Sequence, residues 1–110
     1  MERRWTTRTP ARLEVDLHCD ELEECESCRT RDISFGGLFL ELQSWEPSKD
    51  TLVDLVFHFE SKDKQKTHYK LPAKVVRITD YGVGVVFRDF DAASFRSLRE
   101  IFRFKDECAA

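Results

Sequence analysis

Two groups of residues have the types and spacing to do chemistry. The first is Arg3, Arg4, Arg8 and Arg12, set against a single acid, Glu2, around Pro10. An arginine presents a planar fork of donors that matches phosphate oxygens and the N7/O6 edge of guanine. Arginines at i and i+4 ahead of a strand therefore read as an anion clamp, or, with nothing to hold, as a basic tail. The second group is Asp32-Ile33-Ser34-Phe35-Gly36-Gly37. Side chains at i and i+2 of an extended backbone share a face, so Asp32 and Ser34 point one way and Ile33 points to a core. The glycine pair permits a tight bend, or a close approach of backbone to a ligand that a Cβ would block. A polar turn closed by the Asp and Ser side chains is the plainer reading of the same stretch.

The cysteines form a third, weaker group. Cys25-Glu26-Ser27-Cys28, with His18 and Cys19 nearby, holds the ingredients of a zinc site. The second half of such a site is missing, because Cys108 stands alone near the far end, and no metal is expected. No βαβ pattern surrounds the pair, so redox chemistry is thinly supported. Nothing reads as catalytic: no Ser–His–Asp grouping, no phosphate-cradling glycine loop before a helix, and no paired carboxylates in an apolar setting.

Composition bounds the rest. The chain has 110 residues, the size of one domain with one core. Its formal net charge of −3 argues against broad binding to DNA or RNA, which needs a basic footprint. No apolar run approaches the ~20 residues of a membrane span and no secretory signal leads the chain, so membrane insertion is not expected. The reading is of a cytoplasmic protein, whose cysteines are then reduced thiols.

The elements that must position these groups follow from hydropathy. Leu13, Val15, Leu17 and Cys19 alternate with Glu14, Asp16 and His18, the pattern of a half-buried strand. Seven acids and no base between Glu14 and Glu26 mark a solvated hairpin loop. Arg29 to Arg31 lead into the Asp32 stretch as the second strand, and Leu38 to Leu42 form the third. Residues 45–50 are a loop by their Pro, Ser and Asp. Val53, Leu55, Phe57 and Phe59 line the core face of a fourth strand, with His58 exposed on the other. After the polar turn of residues 61–66, residues 67–78 form the fifth strand. Pro72 breaks its hydrogen bonding, so that strand lies at an edge or carries a bulge there. Asp80-Tyr81-Gly82 is a turn and Val83 to Phe87 the last strand. Asp91 is a natural N-cap for a helix with Phe95, Leu98, Ile101 and Phe102 at helical spacing. Its Arg96, Arg99, Arg103 and Lys105 come late, where positive charge suits the helix dipole. The expected architecture is mainly β, a six-stranded antiparallel β-barrel closed by a C-terminal α-helix. It is one domain over residues 1–110, with a flexible basic arm over 1–11, the barrel over 12–88 and the helix over 91–105.

Arg4-x-x-x-Arg8 followed by Asp32-x-Ser34-x-x-Gly37 resembles the PilZ domain, the bacterial receptor module for cyclic di-GMP. Val75-Val76-Arg77 through Tyr81-Gly82-Val83-Gly84-Val85-Val86-Phe87 is similar to that family's closing strands, so the resemblance covers nearly the whole chain. It implies a barrel of the kind expected above and a ligand, cyclic di-GMP. It also implies that Arg4 and Arg8 hold phosphate and guanine edges, that Asp32 and Ser34 reach a guanine, and that Gly36 and Gly37 let the backbone come close. A basic residue at Arg3 implies a base-stacked pair of ligands, with the arm over residues 1–9 wrapping them. One departure is that Trp5-Thr6-Thr7 carry Arg4's neighbours without any upstream domain, so a free-standing module with no output domain is expected, signalling by a change of its surface to a separate, unidentified protein partner. A PilZ-like adaptor independent of cyclic di-GMP is the alternative reading.

Overall fold

The computed structural model describes residues 9–20, 25–42, 47–60, 63–89 and 91–108, with the backbone alone for Thr9 and residues 104–108. Seven strands precede one helix: β1 (Thr9–Pro10), β2 (Glu14–His18), β3 (Glu26–Ile33), β4 (Gly37–Glu41), β5 (Leu52–Glu60), β6 (Lys66–Ile78), β7 (Gly82–Phe87) and α1 (Ala92–Cys108). Six of them close on themselves. The order runs β3-β2-β5-β6-β7-β4, and β4 pairs back onto β3, every pairing antiparallel. The barrel expected from the sequence is therefore the barrel observed, and closure leaves it without a free edge along its circumference.

Alternation along each strand decides what fills it. Val15 and Leu17 from β2, Leu38 and Leu40 from β4, Val53, Leu55 and Phe57 from β5, Leu71, Ala73 and Val75 from β6, and Val83 and Val85 from β7 all point inward and are buried. The helix adds Leu98 and Ile101, both fully buried, to the same core. Its start is fixed as the sequence suggests. The Ser94 N–H donates to Asp91 Oδ1 at 2.8 Å, and this bond holds the Asp91 carboxyl below its ordinary pKa.

The structure departs from the sequence reading in three places. The basic arm is not free as far as residue 11, because Thr9 and Pro10 pair with Ile33 and Asp32 as β1. The second strand begins at Glu26, inside the Cys-x-x-Cys, rather than at Arg29. The bulge in β6 falls between Val75 and Arg77, not at Pro72. Pro72 is accommodated because β6 outruns β7: the β6–β7 register begins at Ala73 and Phe87, and the Pro72 carbonyl accepts the Arg88 N–H at 3.0 Å. Pro72 thus sits at the end of the β6–β7 ladder, where the donor it lacks costs no more than the terminal bond.

One edge of β3 is shared end to end by two successive strands. Residues 26–29 pair with β2, and residues 32 and 33 pair with β1. The ladder breaks between them, and the fully buried Thr30 fills the break. Its hydroxyl donates to the Ala11 carbonyl and accepts the Leu13 N–H at 2.9 Å. Replacing Thr30 by the isosteric Val leaves two backbone groups unsatisfied in the interior. Thr30→Val should lower stability by about 1–3 kcal/mol, the cost of orphaned buried polar groups. Urea unfolding followed by circular dichroism reads it as a lower midpoint with the same slope; an unchanged midpoint would refute the role.

Candidate functional site

The Asp32 stretch lies where β3 ends and β4 begins. Ile33 is fully buried, and Asp32, half-buried, takes the other side of the strand, as alternation requires. Ser34 is turned to local use. Its N–H donates to the Gly37 carbonyl at 2.8 Å, and its hydroxyl donates to the same carbonyl at 3.2 Å. The hydroxyl also accepts the N–H groups of Gly36 and Gly37 at 3.2 and 3.3 Å. One donor and two lone pairs are all a hydroxyl has, so Ser34 spends its full capacity closing its own turn at 5 % exposure.

The glycines do something other than bend the chain through a left-handed conformation, since neither has a positive φ. A Cβ on Gly37 would stand 2.0 Å from the Val85 carbonyl oxygen, and one on Gly82 would stand 1.9 Å from that of Leu40. These positions let β4 and β7 approach where any side chain would strike backbone. Gly36 stays exposed and its carbonyl accepts the Phe87 N–H at 3.0 Å.

Phe35, between Ser34 and Gly36, ties the turn to the helix. Its ring stacks on Phe102 with centroids 4.7 Å apart and meets Phe95 at 5.7 Å. Each such pair adds about 0.5–1.5 kcal/mol beyond the area it buries. The turn that carries the candidate site and the apolar stripe of α1 are therefore one packed unit.

Sequence reasoning missed what lies on the outer face beside Asp32. The registers put Asp32, Phe39, Gly84 and Arg77 in one row across β3, β4, β7 and β6. Phe39 alternates out of step with Leu38 and Leu40, which face the core, yet it is only 2 % exposed. Among the described residues two guanidinium groups lie against its ring: that of Arg31 is 4.1 Å from the ring centroid and that of Arg77 is 5.8 Å from it. Both arginines sit beside register shifts, one between Thr30 and Asp32 and one between Val75 and Arg77. Bulges re-aim side chains, and their register cannot be read from spacing. The one available signal was Gly82-x-Gly84, because Gly84 leaves room between Phe39 and Arg77.

The remaining candidates stand apart. Arg3, Arg4 and Arg8 lie outside the described residues. Their chain neighbours Thr9 and Pro10 are paired with Ile33 and Asp32. Cys25 is exposed just before β3, whereas Cys28 points inward and its thiol donates to the Val15 carbonyl at 3.5 Å. Among the described residues no group of three metal-ligating side chains converges. Burial, with help from Glu26, Asp16 and Cys25, pushes the Cys28 thiol up to about 12. His58 is not a bare exposed histidine: its Nε2 meets Asp16 Oδ2 at 2.8 Å, in an open depression of about 820 Å³ that His68 and Arg29 also line. That depression contains neither Asp32 nor Ser34.

The PilZ domain family model matches residues 2–104. Solved structures share the fold at low identity. The crystal structure of the PilZ domain of CeSA from a cellulose-synthesizing bacterium is 19% identical, with a TM-score of 0.68 over 87% of this chain and 94% of that one. The PilZ domain of YcgR from Escherichia coli, solved with c-di-GMP, is 15% identical, with a TM-score of 0.72 over 97% and 95%. The Bacillus subtilis inhibitor of motility (MotI/DgrA) is 18% identical, with a TM-score of 0.68; this chain is 94% covered and spans about half of that one, 53%. No curated protein matches the sequence.

Two outcomes follow from this geometry. Gly37→Val forces a branched side chain into the Val85 carbonyl, and should cost about 1–3 kcal/mol or more of stability, the range for overpacking; a thermal melt unchanged by the substitution would remove the close-approach argument. A disulfide-exchange reagent at pH 8 should label Cys25 quickly and Cys28 slowly, because the thiolate is the reactive form. Above pH 9 the unfolded Cys28 loses its proton while the folded one keeps it until about 12. That group's contribution to stability is therefore whole below about pH 9 and is lost as pH rises toward 12. Equal labelling rates for Cys25 and Cys28 in the folded protein would contradict this.

Proposed function

The chain belongs to the PilZ domain family, and we propose that it is a receptor for cyclic di-GMP that regulates a separate protein partner rather than an enzyme. The observation that carries this reading is the pairing of β1 with the end of β3. Thr9 faces Ile33 and Pro10 faces Asp32. Consecutive Cα atoms are 3.8 Å apart, so the chain step to Arg8 starts beside the Asp32–Ser34 stretch. Strand pairing sets the two residues that follow Arg8 against the Asp32 half of the motif, which supports the reading. The PilZ domain of YcgR, whose fold this chain shares, is the one solved with c-di-GMP.

Each residue takes a role its chemistry suits. Arg4 and Arg8 bind phosphate oxygens and the O6/N7 edge of guanine through paired N–H donors. Asp32 accepts from the N–H donors on a guanine Watson–Crick edge. Ser34 shapes the turn, since its hydroxyl is already committed, and Gly36 and Gly37 keep that turn's backbone close and open. Arg3 supplies the extra cation that a second, base-stacked ligand requires. The change passed to a partner starts at Phe35, whose contacts with Phe95 and Phe102 make α1 sensitive to the turn.

Calorimetric titration of the full chain with cyclic di-GMP tests this. Arg4→Ala, Arg8→Ala and Asp32→Ala should each weaken binding by about 1–3 kcal/mol, the value of a bidentate base contact. Lysine at position 4 or 8 should restore only part, keeping charge without the fork. Arg3→Leu should move the stoichiometry from two ligands per chain toward one. No binding by the wild-type chain, or full-strength binding by the Arg4/Arg8 double alanine variant, would defeat the reading; the first result would favour an adaptor that works without the nucleotide.

A further inference from the structure

We infer that the outer face of β2, β5 and β6 is a self-association surface, whose partner is a second copy of this chain related by a two-fold axis running along β5. The face lies on the side of the barrel away from the candidate site, since β5 stands opposite β4 in the closed order. The inference is independent of the receptor reading and rests on how charge is divided among the three strands.

Val15, Leu17, Leu55, Phe57 and Leu71 fill the core, so alternation turns the residues between them outward. On β2 these are Glu14 and Asp16, on β5 Val56 and His58, and on β6 His68 and Lys70. The registers set them in rows. Asp16 faces Val56, and Val56 faces Lys70. Val15 faces Phe57, so the next outward row has Glu14 beside His58, and His58 faces His68. Each row runs from an acid on β2, across β5, to a basic side chain on β6. Neighbouring strands lie about 4.8 Å apart, so the two ends of a row are about 10 Å apart, too far to satisfy each other within one copy. Glu14 and Lys70 are exposed, and among the described residues neither forms an ion pair. Asp16 is held in place by the Ser27 hydroxyl at 3.1 Å and His58 Nε2 at 2.8 Å. A carboxylate has about four acceptor sites, which leaves room for a cation from outside.

A two-fold axis along β5 lays β2 of each copy over β6 of the other and keeps every row on itself. Asp16 then meets Lys70 twice, Glu14 meets His68 twice, and Val56 meets its own counterpart at the axis. Such self-complementarity is what a two-fold interface requires. An axis across the strands would instead put β2 on β2 and β6 on β6, setting like charge on like, which is strongly unfavourable. The division of charge therefore selects one of the two ways of stacking this face on itself. Leu52, 54 % exposed, extends the apolar line of β5 on the same side as Val56. The open depression of about 820 Å³ lined by Glu14 and Asp16 gives the basic side chains of the opposing β6 room to enter.

Sedimentation velocity on the full chain, over a range of protein concentrations at low and high salt, tests this. The wild type should pass from monomer to dimer as concentration rises, and added salt should shift it back toward monomer. Lys70→Glu and Asp16→Lys should each lose the dimer, because the two-fold makes one substitution spoil two contacts. An equimolar mixture of those two variants should regain it, since every lysine in the mixed pair again meets a carboxylate. Asp16 also bonds Ser27 and His58, so Glu14→Lys mixed with His68→Glu provides a second pair that leaves those bonds in place. A wild type that stays monomeric at every concentration in low salt would overturn the inference. So would mixtures no more associated than their components, or a dimer indifferent to salt and to all four substitutions.

Discussion

Everything at this site hangs on how one edge of β3 is completed. A closed barrel needs each strand paired on both sides, yet β2 covers β3 only as far as Arg29. The rest of that edge is taken by β1, and the chain between β1 and β2 has to step over the gap with its polar groups satisfied. The buried Thr30 hydroxyl does this, holding the Ala11 carbonyl and the Leu13 N–H together. The Ala11 N–H continues the ladder to the Arg31 carbonyl at 3.1 Å, and the Thr30 N–H reaches the Leu13 carbonyl at 3.0 Å. Without that junction the end of β3, where Asp32 sits, would be an open edge. With it, the segment that follows the arginine arm is fixed against Asp32 by main-chain bonds. These bonds do not depend on the identity of the side chains they bring together.

The opposite edge of β3 imposes a second constraint. β4 is held between β3 and β7, and its approach to β7 is so close that Gly37 and Gly82 have no room for a Cβ. Glycine in a strand ordinarily weakens it. Here the loss is offset by closure of the barrel, and the outer face gains a flat strip beside Phe39. The two register shifts then fall on β3 and β6, on either side of the closely packed pair. Irregularity is concentrated where the candidate ligand surface is, while the β5–β6 pairing on the far side runs without interruption from Leu52 to Glu60.

Much of this was legible in the sequence, and the reasons are specific. Val53, Leu55, Phe57 and Phe59 show the strict alternation of a half-buried strand, and Asp91 followed by an apolar stripe is a capped helix; both turn out so. The Asp32-to-Gly37 stretch was legible as a turn between strands. What was not legible depends on pairing partners. Periodicity does not say that Thr9 and Pro10 pair with β3, because two residues carry no period. Gly37 looked like a residue chosen for a tight bend or for close approach to a ligand, and only the position of Val85 reveals that the close approach is to a neighbouring strand. Phe39 looked like one more apolar residue in a core strand, because Leu38-Phe39-Leu40 has no alternation to expose it. The arginines against its ring come from elsewhere in the chain, at residues 31 and 77. Arg3, Arg4 and Arg8 were the strongest chemical signal in the sequence and lie outside the described residues.

Under the receptor reading proposed above, the packing at this corner bears on how a signal would leave the site. The Ser34 turn is closed by its own hydrogen bonds, so a ligand pressing on it would displace the turn as a body rather than a single side chain. Phe35 is part of that body and lies against Phe95 and Phe102. Leu98 and Ile101, from the same helix, are fully buried in the barrel core, so α1 has two anchors: one on the core and one on the turn. A shift of the turn changes the second anchor and leaves the first. The expected response is a reorientation of α1 about its core contacts, not its release, since close-packed interiors yield by discrete repacking. The exposed Arg96 and Arg99 ride on that helix, so even a small rotation alters the charge presented at the surface. A receptor of the kind proposed above would report ligand occupancy in this way, by moving charge that a partner senses.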